Sequence, residues 1–128
     1  MVKEFLFRGK KSEEMMKMDI REFAKLLNSR NKRSLLRQSD SIGKFLKKCE
    51  KNKAEGKKIK THARDIIIVP AMIDLMIYIH NGKDFVSLKI TPELLGHRLG
   101  EFVPTRKKIE HSAPGVGATR SSASLSVK

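Results

Sequence analysis

The chain has 128 residues, and its 28 Lys and Arg against 14 Asp and Glu give a formal net charge of +14. This length is typical of a single domain, and the excess of positive charge indicates a polyanionic partner, nucleic acid before an anionic membrane. The lone Cys49 excludes an internal disulfide, the 5% aromatic content argues against base stacking as the dominant binding mode, and no apolar run approaches the roughly 20 residues of a membrane span.

Two helices are predicted in the first half of the chain. Asp19 and Glu22 fit a capping-box pattern for a helix that ends near Asn28. Its apolar face is formed by Ile20, Phe23, Ala24 and Leu27. The second helix is capped by the cluster at residues 39–41, and it repeats the same spacing with Ile42, Phe45, Leu46 and Cys49. We predict that residues 29–41 are a basic connection and that residues 51–60 are a flexible one.

A small β-sheet is predicted in the second half. Residues 66–73, "IIIVPAMI", favour a buried strand that Pro70 interrupts. Residues 74–80 favour a second strand, and Asn81-Gly82 predicts a type I′ hairpin because both turn positions need positive φ. Residues 83–90 return as the third strand.

A short helix is predicted after the sheet. Thr91 is the candidate N-cap, Pro92 the first helical residue, and Gly100 the terminator. Residues 112–128 are rich in Gly, Ser and basic residues, which predicts a flexible tail. The predicted fold is therefore α+β, with a three-stranded sheet packed with short helices, an N-terminal helical arm (1–54), a core (55–111) and the basic tail.

The residues give little support for catalysis or metal binding. The four histidines are dispersed, Cys49 lies on an apolar helix face as a structural thiol would, and one cysteine makes no zinc site. "GVGATR", residues 115–120, does not follow a strand and lacks the Gly-Lys-Ser/Thr ending of a phosphate-binding loop. We therefore expect no enzymatic activity and no cofactor.

Most of the excess charge lies in one segment. Residues 30–64 hold 13 basic and 3 acidic side chains, and residues 104–128 hold 5 and 1. "KKIKTHAR", residues 57–64, stands directly before the first predicted strand, so it can approach a phosphate backbone from a rigid base. The alternative, a solvated linker, is the usual fate of such a charge run.

A long motif carries a family resemblance. "IHNGKDFVSLKITPELLGHRLGEFVPTR", residues 79–106, closely resembles the S-nineteen family of small-subunit ribosomal proteins, and "THARDIIIVPAMI", residues 61–73, resembles the strand that precedes it in that family. "FRGK" (7–10), "MDIREFAKLLNSRNKRSL" (18–35) and "GVGATRSS" (115–122) are similar to the longer archaeal and eukaryotic branch. The final "ASLSVK" departs from the more hydrophobic ending of that branch.

The resemblance implies rRNA contacts in three groups of residues. The group before the first strand is Lys57, Lys58, Lys60, Thr61, His62 and Arg64. The hairpin group is His80, Asn81, Gly82 and Lys83. The group from the helix onward is His97, Arg98, Gly100, Thr105, Arg106, Lys107, Lys108 and His111. Arg120 is the tail candidate for contact with tRNA or the decoding region.

The resemblance also implies a place and partners. Such proteins lie in the head of the small ribosomal subunit, bind small-subunit rRNA, and neighbour the S-thirteen family protein near the bridge to the large subunit. With no signal-peptide pattern at the N-terminus, we expect a cytoplasmic protein in the ribosome and no membrane association.

Two other hypotheses stay open on charge alone. One is a general DNA-compacting protein, which the sequence supports only by its basicity, since it offers no recognition helix of the helix-turn-helix type. The other is an enzyme acting on RNA, which would need a pair of titratable side chains in a pocket.

Overall fold

The computed structural model describes residues 3–110 and, in the tail, residues 115 and 120. The described part contains both helices and small β-sheets, which confirms the α+β prediction. His111 and the predicted flexible tail lie outside the described residues, apart from Gly115 and Arg120.

An N-terminal hairpin precedes the helices and was not predicted. β1 (Leu6–Phe7) pairs antiparallel with β2 (Lys10–Lys11). Arg8 and Gly9 make the turn with φ of 51° and 81°. The ring of Phe7 lies 5.7 Å from that of Phe23, so the hairpin packs on the helices that follow.

Four helices occupy the described part of the chain from residue 12 to residue 54. They are α1 (Ser12–Met16), α2 (Ile20–Ala24), α3 (Ser29–Arg37) and α4 (Ser39–Ala54). In α4, the predicted spacing is confirmed because Ile42, Phe45 and Cys49 are buried along one face. Its exposed lysines lie on the other faces.

The prediction of a basic connection at residues 29–41 was wrong, because α3 fills most of it. The side chain of Asn28 caps α3 by accepting a hydrogen bond from the backbone N–H of Asn31 at 2.9 Å. The apolar pattern of α3 is weak in the sequence, because its only apolar residues are the adjacent Leu35 and Leu36; of these, Leu35 is fully buried. The preceding helix ends at Ala24, earlier than predicted, and Asp19 occupies its N-cap position without a side-chain bond.

The main sheet has three strands, as predicted, but its first strand is a different segment. β3 (Ile59–Thr61) pairs parallel with β4 (Met76–His80), which pairs antiparallel with β5 (Phe85–Lys89). The prediction that residues 51–60 are a flexible connection was therefore wrong at both ends, because residues 51–54 belong to α4 and residues 59–60 to β3. Lys60 lies beside Tyr78, and Tyr78 lies opposite Ser87.

The apolar run after Arg64 is buried and extended, but it does not join this sheet. Its backbone pairs with the segment around His97: the N–H of Ile68 donates to the carbonyl of His97 at 2.8 Å, and the N–H of Leu99 donates to the carbonyl of Ile66 at 3.0 Å. The run then breaks at a 3₁₀ turn, Pro70–Met72, as the proline predicted.

The prediction of one helix from Pro92 to Leu99 was wrong. Two 3₁₀ turns, Pro92–Leu94 and Leu99–Phe102, flank a non-helical turn at residues 95–98, in which Gly96 has a left-handed φ of 81°. This segment exchanges backbone hydrogen bonds with the buried apolar run, which a helix could not do because its own backbone groups would be bonded internally.

The β4–β5 hairpin is confirmed, but its turn is not the predicted two-residue type. His80 pairs with Phe85, and the loop of residues 81–84 is closed by the N–H of Asn81 donating to the carbonyl of Asp84 at 2.9 Å. Gly82 has positive φ of 102°, whereas Asn81 does not, so the type I′ geometry is absent.

The buried side chains form one hydrophobic cluster. It includes Phe23 and Ile42 from the helices and Ile67, Ile77 and Leu99 from the second half. The boundary proposed at residue 54 stays a prediction, but residues on both sides of it contribute to this cluster.

Candidate nucleic-acid interface

Two of the predicted histidines meet at one end of the main sheet. The rings of His62 and His80 lie 4.4 Å apart, and Phe85 packs edge-on against both, at 5.2 and 5.0 Å. His62 is exposed and His80 is partly buried. We call these three residues the histidine cluster; it joins the first predicted group, residues 57–64, which lies in and around β3, to the hairpin group.

The hairpin loop orients His80. The backbone N–H of Gly82 donates to His80 Nδ1 at 3.0 Å, so in the neutral ring the proton is on Nε2 and can be donated outward. Asn81 Oδ1 accepts from the N–H groups of Lys83 and Asp84, at 2.9 and 2.7 Å. These bonds fix the loop and leave the Lys83 side chain exposed at its tip.

Lysines of the first group lie over the aromatic rings of the sheet. The Nζ of Lys58 is 5.3 Å from the Tyr78 ring centre, and the Nζ of Lys60 is 5.3 Å from that of Phe85. Such exposed cation–π contacts hold a lysine weakly, so these ammonium groups can leave for a phosphate. Lys57 forms an exposed ion pair with Glu55 at 2.7 Å.

Arg64 is occupied by the protein itself. Its Nη1 donates to the carbonyl of His80 at 2.7 Å, and its Nη2 donates to the carbonyls of Gly100 (2.9 Å) and Val103. The guanidinium therefore ties the end of β4 to the segment that leads into the tail. Arginine suits this task because its donors are spread over a planar guanidinium and can reach several carbonyls at once, whereas the donors of a lysine all lie on a single ammonium nitrogen.

Gly100 and Thr61 are also packed inward. A Cβ at Gly100 would lie 2.9 Å from the Cβ of Arg64 and 3.0 Å from its carbonyl oxygen, so glycine allows this close approach. Thr61 is buried, and its Oγ1 accepts from the N–H of Ala63 at 3.0 Å. Both residues shape the backbone beneath the candidate interface.

Arg98 and His97 make contacts of two kinds. Arg98 donates to the carbonyl of Asp65 at 3.1 Å and to Ser34 Oγ at 2.9 Å, which fixes its segment against α3. His97 lies at the surface, with Nδ1 2.8 Å from the Glu101 carboxylate and its ring against Phe102 at 5.6 Å. The carboxylate beside His97 partly offsets any attraction of this histidine for phosphate.

The residues after Val103 are free of such contacts. Thr105, Arg106, Lys107 and Lys108 are exposed, and none forms a hydrogen bond or ion pair within residues 3–110. Arg120 is exposed as well. His111 lies outside the described residues.

Some contributors to this surface were missed. Tyr78 and Phe85 were assigned only to strands, although strand alternation places them on the same face as Lys60. Lys48 donates to the carbonyl of Lys60 at 3.4 Å and brings α4 to the edge of the sheet. Asn31 donates to the carbonyl of Gly96 at 3.0 Å. The latter two contacts join residues with no signal of proximity in the sequence.

Other kinds of site have no support in the described part of the chain. Residues 3–110 contain no group of three or more His, Cys, Asp or Glu side chains placed to hold a metal ion. None of the helices in this range is long and apolar enough to span a membrane. Burial raises the pKa of the Cys49 thiol to about 11, which keeps it protonated and a poor nucleophile at neutral pH.

A comparison with protein families decides the assignment of the chain. The family model of Ribosomal protein S19 matches residues 33–111, which is more than half of the chain. The chain belongs to this family. Ribosomal protein S19 proteins are structural, non-enzymatic constituents of the small ribosomal subunit that bind rRNA, and this role holds for the present chain.

The matched span contains every predicted rRNA-binding residue; only Arg120, the tail candidate, and Asn31, which supports Gly96, lie outside it. It begins inside α3 and therefore includes α4, the main sheet and the segment from His97 to Lys108. The N-terminal hairpin, α1 and α2 precede it. In this S19 protein the exposed cations and the two histidines near β3 are thus parts of the family's shared region.

Proposed function

We propose that this S19 protein binds rRNA in the head of the small subunit, close to the decoding region and to the bridge with the large subunit. Its neighbours there include the S-thirteen family protein, and its tail, through Arg120, reaches tRNA or decoding-region rRNA. The placement is supported by the N-terminal arm and the tail, whose sequences resemble those of the archaeal and eukaryotic branch. The ribosomes concerned are those of the cytoplasm.

The single observation that carries the proposal is the joining of two cationic groups by Arg64. One group surrounds the histidine cluster, and the other begins at Arg106. Because the guanidinium binds the carbonyls of His80 and Val103, the point from which the second group departs is held at a fixed distance from the first. A fixed spacing of cations suits folded RNA, which is recognised largely by its shape and its phosphates.

The candidate residues divide into two roles under this proposal. Some contact phosphate directly: Lys57, Lys58, Lys60, His62, His80, Lys83, His97, Arg106, Lys107, Lys108 and His111. Thr105 is exposed and contacts the RNA through its hydroxyl. The others act through the backbone they hold in place: Thr61, Arg64, Asn81, Gly82, Arg98 and Gly100.

The salt dependence of binding tests the proposal. The full chain is titrated into a small-subunit head rRNA fragment between 50 and 200 mM salt, with random-sequence duplex RNA as the comparison. Replacing Lys107 with alanine should lower the slope of log K against log salt by about 0.7–1. Lys17→Ala, an exposed lysine outside the family match, is the matched control and should leave the slope unchanged.

Equal affinity for the head fragment and for random duplex RNA would refute specific rRNA binding. It would then favour a general nucleic-acid-compacting protein. Sedimentation with small subunits in high salt, rather than with the chromosome, is the result expected in cell extracts.

A further inference from the structure

The main sheet has one face in the core and one face open to solvent. Along β4, Ile77 and Ile79 are fully buried, so Tyr78 and His80 point to the opposite face. Strand register places neighbours from β3 and β5 beside them. We call this surface the open sheet face; it consists of Lys60, Met76, Tyr78, His80, Phe85, Ser87 and Lys89.

The open sheet face combines aromatic rings with positive charge. Its strand positions carry two lysines and no carboxylate, and Lys58 adds a third ammonium group over the Tyr78 ring. The chain has few aromatic residues, yet Tyr78 and Phe85 lie on this one surface with the histidine cluster. An anionic ligand with flat apolar groups would complement it.

We propose that the open sheet face binds unpaired nucleotides of RNA, with bases stacked on Tyr78 and Phe85 and the lysines on the adjoining phosphates. This inference rests on the proposed rRNA-binding function and adds a mode of recognition to it. A duplex cannot use the rings in this way, because its bases are already stacked on one another.

The sheet geometry sets how many nucleotides can bind. Tyr78 lies opposite Ser87, so Phe85 is its diagonal neighbour, and side chains in that relation are about 7–8 Å apart. One base does not cover both rings at that distance. The two rings therefore take successive nucleotides of an extended strand.

Lysines must leave the ring faces for bases to bind. Lys58 and Lys60 lie over these rings at 5.3 Å in the free protein, and both side chains are exposed. Stacking of a base contributes more than an exposed cation–π contact, so a base displaces the lysine. The displaced ammonium remains near enough to bind the phosphate of the same nucleotide.

Tyrosine fluorescence tests this proposal directly. Tyr78 is the one tyrosine of the chain, which has no tryptophan, so intrinsic fluorescence reports on this face alone. The full chain is titrated with a single-stranded octanucleotide, with an abasic octanucleotide of equal charge, and with a duplex. Only the single strand with bases should quench Tyr78 strongly.

A pair of variants separates stacking from charge. Phe85→Leu keeps the charge and should weaken binding of the single strand about 5- to 100-fold. Phe5→Leu changes an exposed phenylalanine outside the open sheet face and should bind as the unaltered chain does. If Phe85→Leu fails to fold, the comparison of normal, abasic and duplex oligonucleotides on the unaltered chain still tests whether bases stack on Tyr78.

Two outcomes would overturn the inference. The first is equal quenching by the abasic and the normal strand, and the second is stronger quenching by an acidic peptide than by RNA. If either occurs while the head rRNA fragment is still preferred over random duplex, only the stacking mode is wrong. Loss of that preference would instead refute the proposed function.

Discussion

Replacing Arg64 with methionine tests whether this residue acts through the fold. In the native protein its guanidinium donates three hydrogen bonds, to the carbonyls of His80, Gly100 and Val103. Methionine fills similar space and removes every donor. The three carbonyls would then depend on water, and the segment leading to the tail would lose its attachment to β4.

The magnitude follows from the bonds. Each hydrogen bond to a charged donor contributes about 1.5–3 kcal/mol, and ordering an arginine side chain costs about 2 kcal/mol. The group is partly exposed and the bonds are not additive, so we expect Arg64→Met to lower the free energy of unfolding by about 3–5 kcal/mol. Lysine can reach one carbonyl at a time, so Arg64→Lys should lose about half as much.

Urea unfolding followed by far-UV circular dichroism measures this difference. Arg106→Lys is the matched control, because Arg106 is exposed and forms no hydrogen bond or ion pair within the described residues; its effect should stay within about 0.5 kcal/mol. If Arg64→Met unfolds at the same urea concentration as the unaltered chain, the three bonds do not stabilise the fold. Arg64 would then regain its place as a candidate phosphate contact.

Three further substitutions have expected outcomes. Gly96→Ala would force an alanine to φ of 81° with its Cβ 2.8 Å from Leu27, and thermal unfolding should show a loss of about 1–3 kcal/mol. Asn28→Ala removes the cap of α3 and should cost about 1 kcal/mol in urea unfolding. Burial raises the pKa of Cys49 from 9.0 to about 11. Because the folded protein favours the protonated thiol, the contribution of Cys49 to the free energy of unfolding is complete below pH 9 and is lost as the pH rises to 11. The free energy of unfolding should therefore fall more steeply over that range in the unaltered chain than in Cys49→Ala, and equal slopes would contradict the burial.

Some elements were predictable because their signals are local. The hairpin of β4 and β5 follows from two apolar, β-branched or aromatic runs on either side of Asn81-Gly82, and α4 repeats a helical spacing, so pattern and structure agree. The stop at Pro70 was predictable for the same reason. These elements supply the face that carries the histidine cluster.

Other elements depend on partners far away in the chain. The segment from Thr91 to Gly100 has the start and stop signals of a helix, but pairing with the apolar run after Arg64 satisfies more buried backbone groups. α3 was missed because its two apolar residues, Leu35 and Leu36, are adjacent in the sequence and give no helical spacing. Local propensity was overruled by tertiary pairing in the first case and was too weak in the second.

The same limit applies to the candidate site. A sequence identifies cations, but it does not say which cations are already bound to the protein's own carbonyls. Arg64 and Arg98 find partners 16 to 64 residues away, and the spacing gives no sign of this. Arg106 and Lys107 stand in the same motif and make no such contacts within residues 3–110.

Hydrogen bonds within the protein determine where the exposed cations from Arg106 onward lie relative to the histidine cluster. Asn31 binds the carbonyl of Gly96, Arg98 binds Ser34, and Arg64 binds the carbonyl of Val103. The segment is thus held to α3 and to the main sheet up to Val103, and the exposed cations begin three residues later. Loss of any one bond would shift these cations relative to the histidine cluster at unchanged net charge. A substitution of this kind should therefore weaken the preference for head rRNA over random RNA more than it changes the salt slope, whereas removal of an exposed lysine should do the reverse.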